Sequence, residues 1–141
     1  MMKRSGFTLV EVMISMGIFA GTLAAFAGVY ATMARLSESS RNLTQAMSDA
    51  RVILEMIRNT AQANGLTGVT GAFPAGGAIA APAGAAAWSL PGETITLSYA
   101  DPVTGVTNLN ADPLPVTVSV TWTEGGHPGR TTSVNTMVTR R

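Results

Sequence analysis

At 141 residues the chain has the length of one domain with a modest core. Only 12% of residues are charged and the formal net charge is +1, so no global field draws it to nucleic acid or acidic partners. Cysteine is absent, which removes disulfides, thiol nucleophiles and thiolate metal sites together, and one histidine leaves little material for catalysis.

Composition divides the chain into successive parts. Residues 1–6 are a short polar leader carrying Lys3 and Arg4. Residues 7–34 are apolar or small, interrupted by a single charge, Glu11. At about 1.5 Å per residue this stretch predicts a helix of roughly 42 Å, longer than the roughly 30 Å hydrocarbon core of a bilayer. Val12 to Ala34 contains no charge and no proline, so residues 7–34 are expected to span a membrane. Lys3 and Arg4 fit the positive-inside rule, and a leader this short is most easily left in the cytoplasm.

Residues 35–64 are expected to continue the helix with an amphipathic character. Leu43, Met47, Ala50, Leu54, Ile57 and Ala61 alternate by four and three, and Leu36 extends this stripe backwards by one heptad. Arg51 and Glu55 lie off the stripe at i, i+4. Asn64-Gly65 supplies a C-terminal stop. Residues 65–92 are rich in Gly, Ala and Pro and read as a long irregular connection, pinned to the core at its end by Trp88 and Leu90. Its role stays open between a contact surface and slack.

Residues 93–141 read as antiparallel sheet. Ile95, Leu97 and Tyr99 form one alternating set, Val116, Val118, Val120 and Trp122 a second, and Thr132, Val134, Thr136 and Val138 a weaker third. Asp101-Pro102 and the run from Glu124 to Gly129 have turn chemistry. The fold class is therefore α+β, a long N-terminal helix packed on a three- or four-stranded antiparallel sheet.

The most specific segment is Lys3-Arg4-Ser5-Gly6-Phe7-Thr8-Leu9-Val10-Glu11. It resembles the N-terminal signature of type IV pilins and type II secretion pseudopilins. There a basic leader ends in glycine, followed by an aromatic residue, Thr-Leu, an aliphatic residue and glutamate. The match is residue for residue over this window; beyond the first third the likeness is one of architecture, a pilin-like fold. The resemblance implies recognition of the leader through Lys3 and Arg4, cleavage by prepilin peptidase between Gly6 and Phe7, and N-methylation of Phe7. It also implies residence in the bacterial inner membrane with the C-terminal domain in the periplasm. From there an assembly platform would add the chain to other pilin or pseudopilin subunits. No proline precedes Pro74 and no C-terminal cysteine pair is present, two departures from major pilins that favour a minor pilin or minor pseudopilin.

The chemistry of Glu11 fits that expectation. A carboxylate in a membrane helix costs about 2.5–3.5 kcal/mol when central and less near the interface. Processing would create an ammonium group at Phe7. An adjacent subunit could place that cation against Glu11, offsetting desolvation and fixing axial register. The bland alternative is an interfacial glutamate on an ordinary anchor.

A rival for the whole chain is a secretory signal peptide cleaved after Ala27, at Ala25-Phe26-Ala27, releasing a periplasmic binding module that begins at Gly28. The apolar helix continuing through Met33 and Ala34 weighs against it. An enzyme is not expected. His127, between Gly126 and Pro128, reads as a turn residue, and Asp101, Asp112 and Glu124 lack an EF-hand pattern. No cofactor and no metal site is expected. Trp88, Trp122 and Tyr99 read as core aromatics.

Overall fold

The computed structural model describes residues 6, 8–82, 88–101, 103–125 and 127–139. Helix α1 occupies Leu9–Ala72 and is followed by strands β1 (Thr94–Ser98), β2 (Leu114–Glu124) and β3 (His127–Val138). The chain forms two compact units, Met1–Ser39 and Ser40–Arg141.

The first unit is the apolar helix. Thr8 starts it: its carbonyl accepts from the Glu11 and Val12 amides at 3.1 and 3.2 Å, and its Oγ1 accepts from the Glu11 amide at 3.3 Å. These bonds satisfy donors that a helix N-terminus leaves unpartnered. Three hydroxyl groups within the apolar stretch are satisfied by nearby backbone carbonyls. Ser15, Thr22 and Thr32 donate their hydroxyls to the carbonyls of Glu11, Phe19 and Gly28 at 2.8, 2.8 and 3.0 Å. Such back-bonding lets a hydroxyl enter hydrocarbon without a lost hydrogen bond. Leu9, Met13, Phe19, Phe26 and Tyr30 are exposed, as side chains meant for lipid or for other helices would be.

The second unit holds the core. Ala46, Ala50, Ile53 and Ile57 of α1 are fully buried, together with Ile95, Val118 and Val120 of the sheet. The buried helical positions differ from the expected stripe. Ala50 and Ile57 belong to both, but Leu43 and Met47 remain 44% and 39% exposed and Leu54 and Ala61 are only partly buried. The buried seam runs through Ala46, Ala50, Ile53 and Ile57, displaced from the expected stripe toward Ala46 and Ile53. Glu55 pairs with Arg58 at 3.5 Å, an exposed contact of little energetic weight.

Asn64-Gly65 interrupts the helix without ending it. Gly65 takes φ 69° and ψ −176°, a conformation that only glycine adopts readily, and helical geometry resumes through Ala72. The resumed turns bury Leu66 and Val69, so tertiary packing overrides the poor helix propensity of this glycine-rich segment. The irregular connection is correspondingly shorter than 65–92. It contains a bridge from Ala78 to Thr96, with Gly76 and Ile79 amides donating to Leu97 and Ile95 carbonyls, each at 2.8 Å. Trp88 Nε1 donates to the Ile79 carbonyl at 2.9 Å and Leu90 is buried, which anchors the end of the connection as expected.

The sheet has three strands in the order β1-β2-β3, both pairs antiparallel. Leu97 opposes Val118 and Ile95 opposes Val120, so the two best alternations share one covered face. The β2–β3 turn is tighter than the expected Glu124–Gly129 run. Glu124 pairs with His127 across Gly125, whose φ is 59°, and His127 and Gly129 belong to β3.

Candidate functional site

The residues singled out for processing and assembly lie at the start of α1. Lys3, Arg4 and Phe7 are outside the described residues. Gly6 is exposed, and a Cβ built on it would meet nothing within 4 Å. Glu11 is exposed in the first turn of α1, where a carboxylate complements the positive end of the helix dipole. Among the described residues its carboxylate has no ion-pair partner.

The capping role of Thr8 is what sequence reasoning passed over. Thr8-x-x-Glu11 has the spacing of a capping box, a signal present in the string itself. The Thr8 hydroxyl accepts from the Glu11 amide, so the segment around the expected scission point is also where the helix is nucleated. Thr8, Leu9, Val10 and Glu11 thus join two tasks, starting a helix and holding a carboxylate one turn inside it.

The first 20 residues match the model of the prokaryotic N-terminal methylation motif. The chain carries the motif that marks the type IV pilin and pseudopilin family. The matched region contains the basic leader, the Gly6-Phe7 junction and Glu11. No curated protein and no solved structure matches the chain. The architecture behind the motif is pilin-like α+β, a long N-terminal helix against a three-stranded antiparallel sheet. Proteins of this family are structural subunits, anchored in the inner membrane by a hydrophobic N-terminal helix before assembly.

Asp101 and Glu124, also weighed from sequence, are occupied locally. Asp101 Oδ1 accepts from the amides of Val103 and Thr104 at 2.8 and 3.0 Å, which holds its carboxyl below the usual range. Glu124 pairs with Arg130 at 2.9 Å. Among the described residues, no three His, Cys, Asp or Glu side chains gather as a metal site would need. Tyr99 and Trp122 are buried, as expected of core aromatics.

A second polar constellation lies between α1 and the turn before β1. Ser89 Oγ donates to Asp49 Oδ2, and Glu93 Oε2 accepts from the Leu90 amide at 2.9 Å. Glu93 Oε1 is buried, and among the described residues the nearby group it can share a proton with is the Asp49 carboxyl. Burial pushes the Glu93 carboxyl above its ordinary pKa; the Leu90 amide opposes this, while the neighbouring Asp49 charge adds to it.

Proposed function

We propose that the chain is a minor pilin or minor pseudopilin, a structural subunit of a type IV pilus or a type II secretion pseudopilus. Prepilin peptidase cleaves between Gly6 and Phe7 after reading the leader through Lys3 and Arg4, and Phe7 is then N-methylated. The processed chain waits in the inner membrane with its C-terminal unit in the periplasm, and an assembly platform moves it into a filament of related subunits. The observation that supports this reading most is the methylation-motif match over residues 1–20, followed directly by exposed apolar helix.

In this reading Glu11 pairs with the methylated amine of Phe7 on an adjacent subunit. The carboxylate is unpaired among the described residues, and leaving it so in a dry helix bundle would be costly. Removing one member of a buried pair costs about 3–5 kcal/mol. Glu11→Ala should therefore insert and be processed normally yet enter sheared filaments at least about tenfold less than the wild type. Normal incorporation would refute the pairing. Gly6 replaced by a bulky residue should leave a precursor of full length on denaturing gels; normal cutting of that variant would place the scission elsewhere.

A further inference from the structure

The two edges of the sheet are treated differently. The outer edge of β1 is covered by the chain itself, through the Ala78–Thr96 bridge and the two flanking amide bonds. β3 is a strand of 12 residues that pairs only with β2. Among the described residues, no backbone hydrogen bond reaches its far side. An edge of this length is usually guarded by charge, proline or a bulge. β3 carries Pro128, Arg130 and the irregular register between Trp122 and Glu124 at its turn end, whereas from Thr131 to Val138 there is no charge, no proline and no irregularity.

The helix above is wider in apolar character than the sheet beneath it. At about 100° per residue, Leu43, Met47, Leu54 and Ala61 lie roughly 60° around α1 from the seam of Ala46, Ala50, Ile53 and Ile57. This flank overhangs β3: the Thr132 hydroxyl lies 3.9 Å from Met47 Sδ. Further along, Leu54, Arg58, Ala61 and Gln62 face Thr136 and Val138 across a groove of about 360 Å³. The inward residues of β3 stay half-buried, whereas their β2 counterparts Val116, Val118 and Val120 are buried. Helix surface for a further strand lies beside the three strands of the described residues.

We propose that the free edge of β3 and the adjoining groove accept an extended strand from a different polypeptide. Its alternate apolar residues would face Leu54 and Ala61, and a carboxylate would meet Arg58. Backbone donors and acceptors along β3 specify an extended partner, as in other strand additions. Among the described residues Arg58 is the charged side chain lining the groove, and its contact with Glu55 is long at 3.5 Å and exposed, so an incoming acid finds a cation there. A second copy of this chain does not meet that requirement, because its β3 carries Arg130 and no carboxylate. The inference uses only the second unit and stands apart from the filament reading.

The test is amide hydrogen exchange on the full chain in detergent micelles. The probe is a synthetic peptide of about ten residues, alternating Val and Thr with one central Glu, beside a control of the same length with a central proline. Exchange at a bound edge slows by one plus the ratio of ligand concentration to Kd, about fivefold at four times Kd. Alternate amides of Thr131–Val138 should slow by that factor while those of β1 do not change. Ala61→Arg, which fills the groove without touching the β2–β3 ladder, should abolish the slowing and leave the far-ultraviolet circular dichroism unchanged. If β3 exchange is unaffected up to the peptide's solubility limit, the proposal fails. It fails equally if the proline peptide or the Ala61→Arg chain gives the same slowing. Protection that rises with protein concentration alone would assign the edge to a second copy and overturn the heterologous partner.

Discussion

At the scale of single residues, the chemistry is concentrated in a few carboxyl and hydroxyl groups. Glu11 is placed for first-turn helix stabilisation and for the proposed intersubunit pair, and because Glu11→Gln removes the charge on which both depend, far-ultraviolet circular dichroism of that variant separates a loss of helix from a loss of pairing. The amide preserves the shape and removes the charge, so the pairing account expects Gln to be as poorly incorporated as Ala. Glu93 carries a pH dependence of known sign. Its folded pKa is raised, so its contribution to stability is complete below the unfolded value and is lost as pH rises through the folded value. Thermal melts of the wild type should therefore lose stability from this group as pH climbs above the ordinary glutamate range. In Glu93→Gln that portion of the pH dependence should vanish; an unchanged profile would show that Glu93 does not titrate as described. Tyr99 offers a simpler check. Its hydroxyl donates to the Phe73 carbonyl at 2.6 Å in the core, tying the end of α1 to the segment after β1. Tyr99→Phe strands that carbonyl and should cost about 1–3 kcal/mol in urea denaturation.

At the scale of elements, strands were more legible than the helix seam. Ile95, Leu97 and Tyr99 and the Val116–Trp122 set alternate with period two, and only one face of each strand can be covered. The helical stripe was harder to place, because alanine does not declare its side. Ala46 and Ala50 are buried, whereas larger Leu43 and Met47 stay exposed, Met47 beside Thr132 of β3. The resumption of α1 after Gly65 was hidden for a similar reason: a glycine-rich sequence becomes helical there because Leu66 and Val69 reach the core. At the candidate site Gly6, Phe7 and Glu11 stood out in the string and lie within the matched motif of residues 1–20, while the Thr8 cap was present in the string and unread. Two substitutions probe the packing. Ile57→Ala empties a fully buried position and should lower unfolding free energy by about 2–5 kcal/mol. Gly92 has φ 63°, and a Cβ there would lie 2.8 Å from Thr123 Oγ1. Gly92→Ala should destabilise by about 1–3 kcal/mol, again read from urea midpoints.

At the scale of the whole molecule, the two units divide the labour. The N-terminal unit exposes apolar side chains and satisfies its Ser15, Thr22 and Thr32 hydroxyls locally, which suits lipid and helix bundles alike. The C-terminal unit carries the core residues from Ala46 to Trp122 and a sheet with one covered and one open edge. What joins the molecule to a filament, in the proposed account, is an amine that does not exist until the leader is removed. Intact-mass and N-terminal peptide analysis of the protein recovered from its native membrane tests this most directly. The account predicts a chain beginning at N-methylated Phe7. A chain that still begins at Met1, or one that begins at Gly28, would contradict it.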